Sequence, residues 1–101
     1  MIVRVWHGWT SPEDAPAFEN LLRSTILPRI RQVPGCAGVQ LLRRATGGEV
    51  EFVTLLFFDS LVSIRAWAGE PHDVAVVPPE ARLLLRRFDE RAAHYEAAHQ
   101  A

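Results

Sequence analysis

The side chains able to do chemistry in this chain are few, and their spacing narrows what they can do. Four histidines, His7, His72, His94 and His99, stand far apart, without the HxxxH or HExxH spacing that sets two imidazoles on one helix face. No metal site and no cofactor is expected from them. His7 alternates with Val3, Val5 and Trp9, neighbours that would desolvate its ring and hold it neutral at about pH 7, as a general base requires. The competing role is a hydrogen-bonded packing histidine. His94 and Tyr95 are adjacent, so on a strand only one of them can face inward. His94, with Glu96 on its face, forms either an oriented acid–base pair or part of an exposed polar face, whereas Tyr95 either donates its hydroxyl to a substrate carbonyl or anchors the strand in the core. Trp67, on the apolar side of a short helix, is a stacking platform or a core residue. His72 lies in a proline-bounded connection, a pocket loop or plain surface. The candidate set is therefore His7 and His94 for catalysis, with Trp9, Trp67, His72 and Tyr95 for substrate binding.

The elements that must position these groups follow from periodicity. Residues 2 to 9 are β-branched and aromatic, with Val3, Val5, His7 and Trp9 on one face and Ile2, Arg4 and Trp6 on the other. Ser11-Pro12-Glu13-Asp14 then reads as a helix start, with Ser at the cap and Pro at the first helical position. Ala15, Phe18, Leu22, Ile26, Ile30 and Val33 recur at three and four residues along one apolar face. Pro28 interrupts that helix and should kink it near Ser24, and Pro34-Gly35 ends it. Val39 to Arg44 and Glu49 to Phe58 are extended runs joined by Ala45-Thr46-Gly47-Gly48, a β-hairpin in which Arg43 or Arg44 faces Glu51.

Asp59-Ser60 offers a second cap, followed by Leu61, Ile64, Trp67 and Ala68 on one helical face and Gly69 as the stop. Residues 70 to 79, with Pro71, Pro78 and Pro79, admit at most a turn of helix at Asp73 to Val77, and Glu80 to Arg87 reads as helical. From Phe88 onward intrinsic propensity favours helix, while a turn at Asp89-Glu90 would permit a strand at about Ala92 to Ala97. Strand, helix, strand, strand, helix, strand is the split βαβ order (βαββαβ) of a ferredoxin-like α+β fold: a four-stranded antiparallel sheet with helices on one face. Phe52, Leu56 and Phe58 on one side of the third strand and Val53, Leu55 and Phe57 on the other both call for burial, so a second copy of the chain is expected over the uncovered face.

Size and composition agree with one domain spanning residues 1–101. At 101 residues folding removes roughly 65% of the unfolded chain's surface, enough for a core without staples. All eleven cations are Arg, which excludes a Schiff-base lysine and a Walker-type phosphate loop. They balance twelve acids to a net charge of -1 without a basic stripe, so nucleic acid is not an expected partner. Cys36 is alone, so no intrachain disulfide, CxxC pair or thiolate cluster can form, and a reducing cytoplasm is expected. No run approaches the eighteen or so apolar residues of a membrane span, and no membrane partner is expected.

Several segments resemble the antibiotic biosynthesis monooxygenase-like proteins of the dimeric α+β barrel superfamily. They are Val3-Arg4-Val5-Trp6-His7-Gly8, Leu27-Pro28, Val33-Pro34-Gly35, Leu41-Leu42-Arg43-Arg44, Phe57-Phe58-Asp59-Ser60-Leu61, Ile64-Arg65-Ala66-Trp67-Ala68-Gly69 and His94-Tyr95-Glu96. The resemblance implies a homodimer joined through its sheet faces, an apolar pocket between sheet and helices in each subunit, and a C-terminal strand. It also implies oxidation of a small polycyclic aromatic, phenol- or anthrone-like, without metal or flavin. With His7 on the helix-facing side of strand one, that residue would be the base. A dimeric, non-catalytic binding or accessory protein is the alternative. Heme-degrading relatives resemble a different pattern, an Asn on strand one, a Trp on helix two and a His ten residues after it. Trp67 matches, whereas the strand-one position is nearest His7, Val77 stands where the His would be, and His72 lies only five residues on. Heme chemistry is therefore not expected.

Overall fold

The computed structural model describes residues 1–99, and the last two residues of the ambiguous C-terminal segment lie outside them. Strand β1 runs Ile2–Thr10, and a helical stretch follows as α1 (Ala15–Leu21), a π-helical turn (Leu22–Ile26) and α2 (Leu27–Arg31). Strands β2 (Cys36–Thr46) and β3 (Glu49–Phe58) form the hairpin, and α3 spans Leu61–Ala68. The chain ends with α4 (Pro79–Arg82), β4 (Arg87–Phe88) and β5 (Ala93–Glu96). The sheet is antiparallel, ordered β2-β3-β1, with β4 and β5 both paired to the outer edge of β1.

The first helix starts later than its cap signal suggests. Ser11 Oγ accepts from Asp14 N–H at 3.1 Å and Ser11 O from Ala15 N–H at 3.1 Å, so residues 12–14 form an entry turn. The expected irregularity near Ser24 is there, as a change of register more than a break. Pro28 has no N–H to offer the Ser24 carbonyl, and the preceding turn widens so that Leu27 N–H reaches Leu22 O, five residues back. This keeps Phe18, Leu22 and Leu27 all buried against the sheet. Helix α3 begins where Ser60 Oγ accepts from Ser63 N–H at 3.2 Å and stops at Gly69, whose φ of 82° suits a residue without Cβ.

Three expectations are corrected here. The stretch Glu80 to Arg87 is helical only through Arg82, because Arg86 N–H turns to Trp9 O at 2.8 Å and the next two residues join the sheet. Asp73 to Val77 makes no helical turn. Val74 bridges Arg91, with Ala75 N–H on Glu90 O at 2.9 Å and Ala92 N–H on Asp73 O at 2.7 Å, so the backbone groups a helix would need are already used. The fourth strand is split: β4 pairs with Gly8 and Trp9, β5 with Ile2 to Val5, and residues 90–92 leave the edge between them after Asp89 N–H meets His7 O at 2.9 Å, giving five strands instead of four.

The core lies between the helices and one face of the sheet, where Phe18, Phe52, Phe58 and Ile64 are sealed from solvent and Phe18 meets Phe52 edge to face at 5.0 Å. β1 contributes Ile2, Arg4, Trp6, Gly8 and Thr10 to that side, opposite Phe58, Leu56, Thr54, Phe52 and Val50. A Cβ on Gly8 would stand 2.9 Å from Leu85, so the close packing of Trp6 and Leu85 depends on a bare backbone here. The opposite face presents Val3, Val5, His7 and Trp9 beside Val53, Leu55 and Phe57, none of them buried. Two apolar faces, one covered by helices, is the arrangement expected from β3.

Candidate active site

A cavity of about 50 Å³ lies under the helices, between β1, β3, the π-helical turn and the extended segment 75–78. Trp6, Leu22, Ile26, Leu27, Leu56 and Trp67 supply most of its apolar wall. The alternation of β1 and β3 places Arg4 and Thr54 among them as the polar side chains of that wall. Arg4 is 3% exposed and its guanidinium lies 5.2 Å above the Trp67 ring, which in turn stacks on Phe58 at 5.9 Å. It donates to the carbonyls of His72 and Val74, tying the connection after α3 to the sheet. Nη1 also stands 3.1 Å from His94 Nε2, which must be the unprotonated, accepting nitrogen because Arg has only donors.

Burial is the main cause that pulls the Arg4 pKa below its ordinary value, with the negative charge of Asp73 acting against it. Asp73 itself is held below the usual carboxylate range by its bond to Arg91. His94 is pulled below 6.5 first by burial, then by the positive charges of Arg4 and His72, again opposed by Asp73. A neutral imidazole beside a buried arginine is the consequence.

The six candidates divide between the two sheet faces. Trp67 lines the cavity, His94 stands one hydrogen bond behind Arg4, and the His72 ring is 5.2 Å from that of His94. His94 turns to Arg4 and not to Glu96. His7, Trp9 and Tyr95 point the other way. His7 donates through Nδ1 to Asp89 Oδ2 at 3.0 Å and stacks on Trp9, over which Arg87 lies at 3.9 Å. Tyr95, paired with Val3, is 60% exposed. The expectation that the His7 side of β1 faces the helices is thus corrected: the Arg4 and Trp6 side does, because Gly8 and the Phe52–Phe58 face of β3 fit under the helices. Arg4, Trp6, Thr54 and the 75–78 wall were missed by the sequence reading. The signal for Arg4 was a cation between Ile2 and Trp6 on a strand, a place where a solvated charge is unusual.

Arg44 pairs with Glu51 across the hairpin, as expected for one of the two arginines, while Arg43 reaches Glu19 on α1 at 2.7 Å. Among the described residues no three His, Cys, Asp or Glu side chains come together as metal ligands, and no helix is long and apolar enough to cross a membrane.

No curated protein matches the chain. Solved structures resemble it over nearly its whole length. SnoaB, a cofactor-independent oxygenase of Streptomyces nogalater, has a TM-score of 0.66 at 19% identity, covering 98% of this chain and 94% of its own. A Streptomyces coelicolor monooxygenase, ActVA-Orf6, solved with nanaomycin D, has 0.64 at 16%, covering 99% and 89%. MhuD, a heme-degrader of Mycobacterium tuberculosis solved with two hemes in its active site, has 0.68 at 21%, covering 100% and 99%. At such identities the likeness establishes the fold. Among the described residues Val77 is part of this cavity's wall, and its lining includes no His, Cys, Tyr or Met side chain of the kinds that ligate heme iron. The split βαβ topology, the pocket between helices and sheet, and the family profile matching residues 1–101 agree, and the chain belongs to the antibiotic biosynthesis monooxygenase family.

Proposed function

We propose that this protein is a cofactor-independent monooxygenase acting on a small polycyclic phenolic or anthrone-like substrate held in the cavity beside Trp67. The observation that carries this reading is the composition of the wall: two indole rings and a ring of aliphatic side chains, with polar groups only on the β1–β3 side. Such a wall desolvates a flat aromatic and orients its oxygen toward that side. An anthrone enolises, and loss of its hydroxyl proton leaves a carbanion at the reacting carbon. His94, the imidazole bonded to Arg4 at that side, takes the proton on Nε2 as its hydrogen bond from Arg4 Nη1 gives way. The carbanion reduces oxygen and forms a carbon–oxygen bond, the peroxide regains the proton, and water leaves as the CH₂ becomes C=O. One CH₂ and one O₂ give one carbonyl and one water, with no outside electron donor. The cavity of about 50 Å³ is smaller than a tricyclic ring, so on this reading the wall segment 75–78 moves outward when the rings enter.

We infer in addition that a second copy covers the outer sheet face. Val53, Leu55 and Phe57 lie there beside Leu42, and Arg44 and Glu51 pair their charges within the chain at the hairpin end of that face, which suits a self-complementary contact.

Oxygen uptake with a tricyclic anthrone, with the product identified by mass, tests the reaction. Turnover above the buffer rate is expected, and Trp67→Phe should raise KM more than it lowers kcat, since a smaller ring still stacks but covers less area. Saturable binding with no oxygen uptake would instead assign the protein to ligand binding without catalysis.

A further inference from the structure

We propose that Arg4 is the specificity-determining residue of the cavity, selecting aromatic ligands that carry an ionised oxygen and holding that oxygen as an anion. The proposal deepens the oxygenase reading by naming the charge state of the substrate. It starts from an imbalance. Arg4 is almost wholly buried, yet each of its hydrogen-bond partners is neutral: the carbonyls of His72 and Val74 and the ring of His94. Among the described residues no carboxylate lies within 4 Å of it. Asp73, the acid whose charge it feels, is half-buried and engaged by Arg91 at 2.9 Å. A buried cation in that condition favours any anion that can reach it.

The cavity is where an anion can do so. Arg4 forms part of its wall, and the remaining lining is apolar apart from Thr54 and backbone. The Trp67 ring beneath the guanidinium, itself stacked on Phe58, keeps the fork in one plane, so the charge has a fixed position before a ligand arrives. A flat aromatic packed on the indoles would bring an oxygen on its edge to the guanidinium, where the N–H groups now on carbonyls exchange to a stronger, charge-assisted partner. His94 and His72 are the other titratable groups near that oxygen, and neither brings a negative charge to oppose it. An aromatic of the same shape with a neutral amide or methoxy group lacks that gain.

The test uses 2-hydroxyanthraquinone, a coloured phenol that cannot be oxidised further by the same route, whose visible band shifts when it ionises. Titrated while bound to the wild-type protein, it should lose its proton about one to three pH units lower than in buffer, the range for an acid set beside an arginine. Arg4→Met should abolish the shift, and Arg4→Lys should keep part of it. Should Arg4→Met fail to fold by thermal melt, a second pair decides on wild-type protein alone: 2-naphthoate should bind at least about tenfold more tightly than 2-naphthamide in a tryptophan-fluorescence titration. An unshifted bound phenol, a shift retained in folded Arg4→Met, equal affinity for the acid and the amide, or no binding of either probe overturns the proposal. If the anion is selected but no anthrone is oxidised, the oxygenase reading falls and the assignment of Arg4 stands.

Discussion

His7 and His94 began as equivalent candidates and are separated by one fact, the direction of a side chain. His7 sits across the sheet from the cavity with Asp89 and Trp9, so His7→Ala is expected to leave kcat within about threefold of wild type. His94→Ala, which removes the imidazole behind Arg4, should lower it by about a hundredfold, the usual contribution of a positioned base. Stopped-flow or oxygen-electrode rates on both variants, with a melt as control, decide between them. A hundredfold loss in folded His7→Ala would place the chemistry on the outer face. His94 also has a signature in stability. Burial lowers its pKa in the folded chain, so between the ordinary value of 6.5 and that lower value the unfolded chain takes up a proton that the folded chain refuses. Stability should therefore fall as pH drops through 6.5 and be unaffected by this group above it. His94→Asn should flatten Tm against pH in that window. The carboxylates of Glu19, Asp59 and Asp73, whose pKa values are lowered by hydrogen bonds from Arg43, Ser63 and Arg91, stabilise above their ordinary range and lose this only at more acid pH, which separates the two effects.

At the scale of elements, two short devices set the shape of the site. The π-helical turn at Leu22–Ile26 absorbs the missing N–H of Pro28 and turns Leu22, Ile26 and Leu27 toward the cavity. Helix α3 presents Trp67 only if it starts at the right residue, and that start rests on Ser60, whose hydroxyl also meets Ser63 Oγ at 3.2 Å. Ser60→Ala is expected to cost about 1 kcal/mol, typical of an N-cap, measured by urea unfolding. A loss below about 0.3 kcal/mol would mean that Asp59, bonded to Ser63 Oγ at 2.6 Å, is the effective cap. The connection 70–78 is held by another route, through the bridge of Val74 to Arg91 and the two carbonyls on Arg4, which is why its prolines do not leave it shapeless.

For the whole molecule the open question of the sequence, what covers the second apolar face of β3, becomes a prediction. Leu55, paired with Val5 in β1 and Gln40 in β2, lies mid-strand on that face and makes no part of the cavity wall. Leu55→Asp should convert a sedimenting dimer into a monomer at micromolar concentration while leaving the far-UV spectrum unchanged. Wild-type protein that sediments as a monomer under the same conditions would refute the two-copy arrangement.

Order and type of the main elements were legible in the chain because they rest on local chemistry. Alternation marks β1 and β3, the paired glycines mark the hairpin, Ser60 and Gly69 bracket α3, and Pro28 announces the irregular turn. The resemblance carried by segments from Val3 to Glu96 reached the family. The adjacency rule for His94 and Tyr95 was also sound, since only His94 faces the helices. What alternation cannot supply is which of two faces is inside. On β1 one set offered His7 among valines and the other Arg4 beside Trp6, and with apolar residues on both sides of β3 neither periodicity nor burial preference chose. That choice fell to contacts distant in sequence: Gly8 making room for Leu85, Phe52 against Phe18, and Arg4 closing on the carbonyls of His72 and Val74. The end of the chain followed the same logic. Helical propensity beyond Glu80 yielded to the unpaired edge of β1, whose backbone groups take hydrogen bonds from Arg86, Asp89 and Ala97 that a helix would have left unmade.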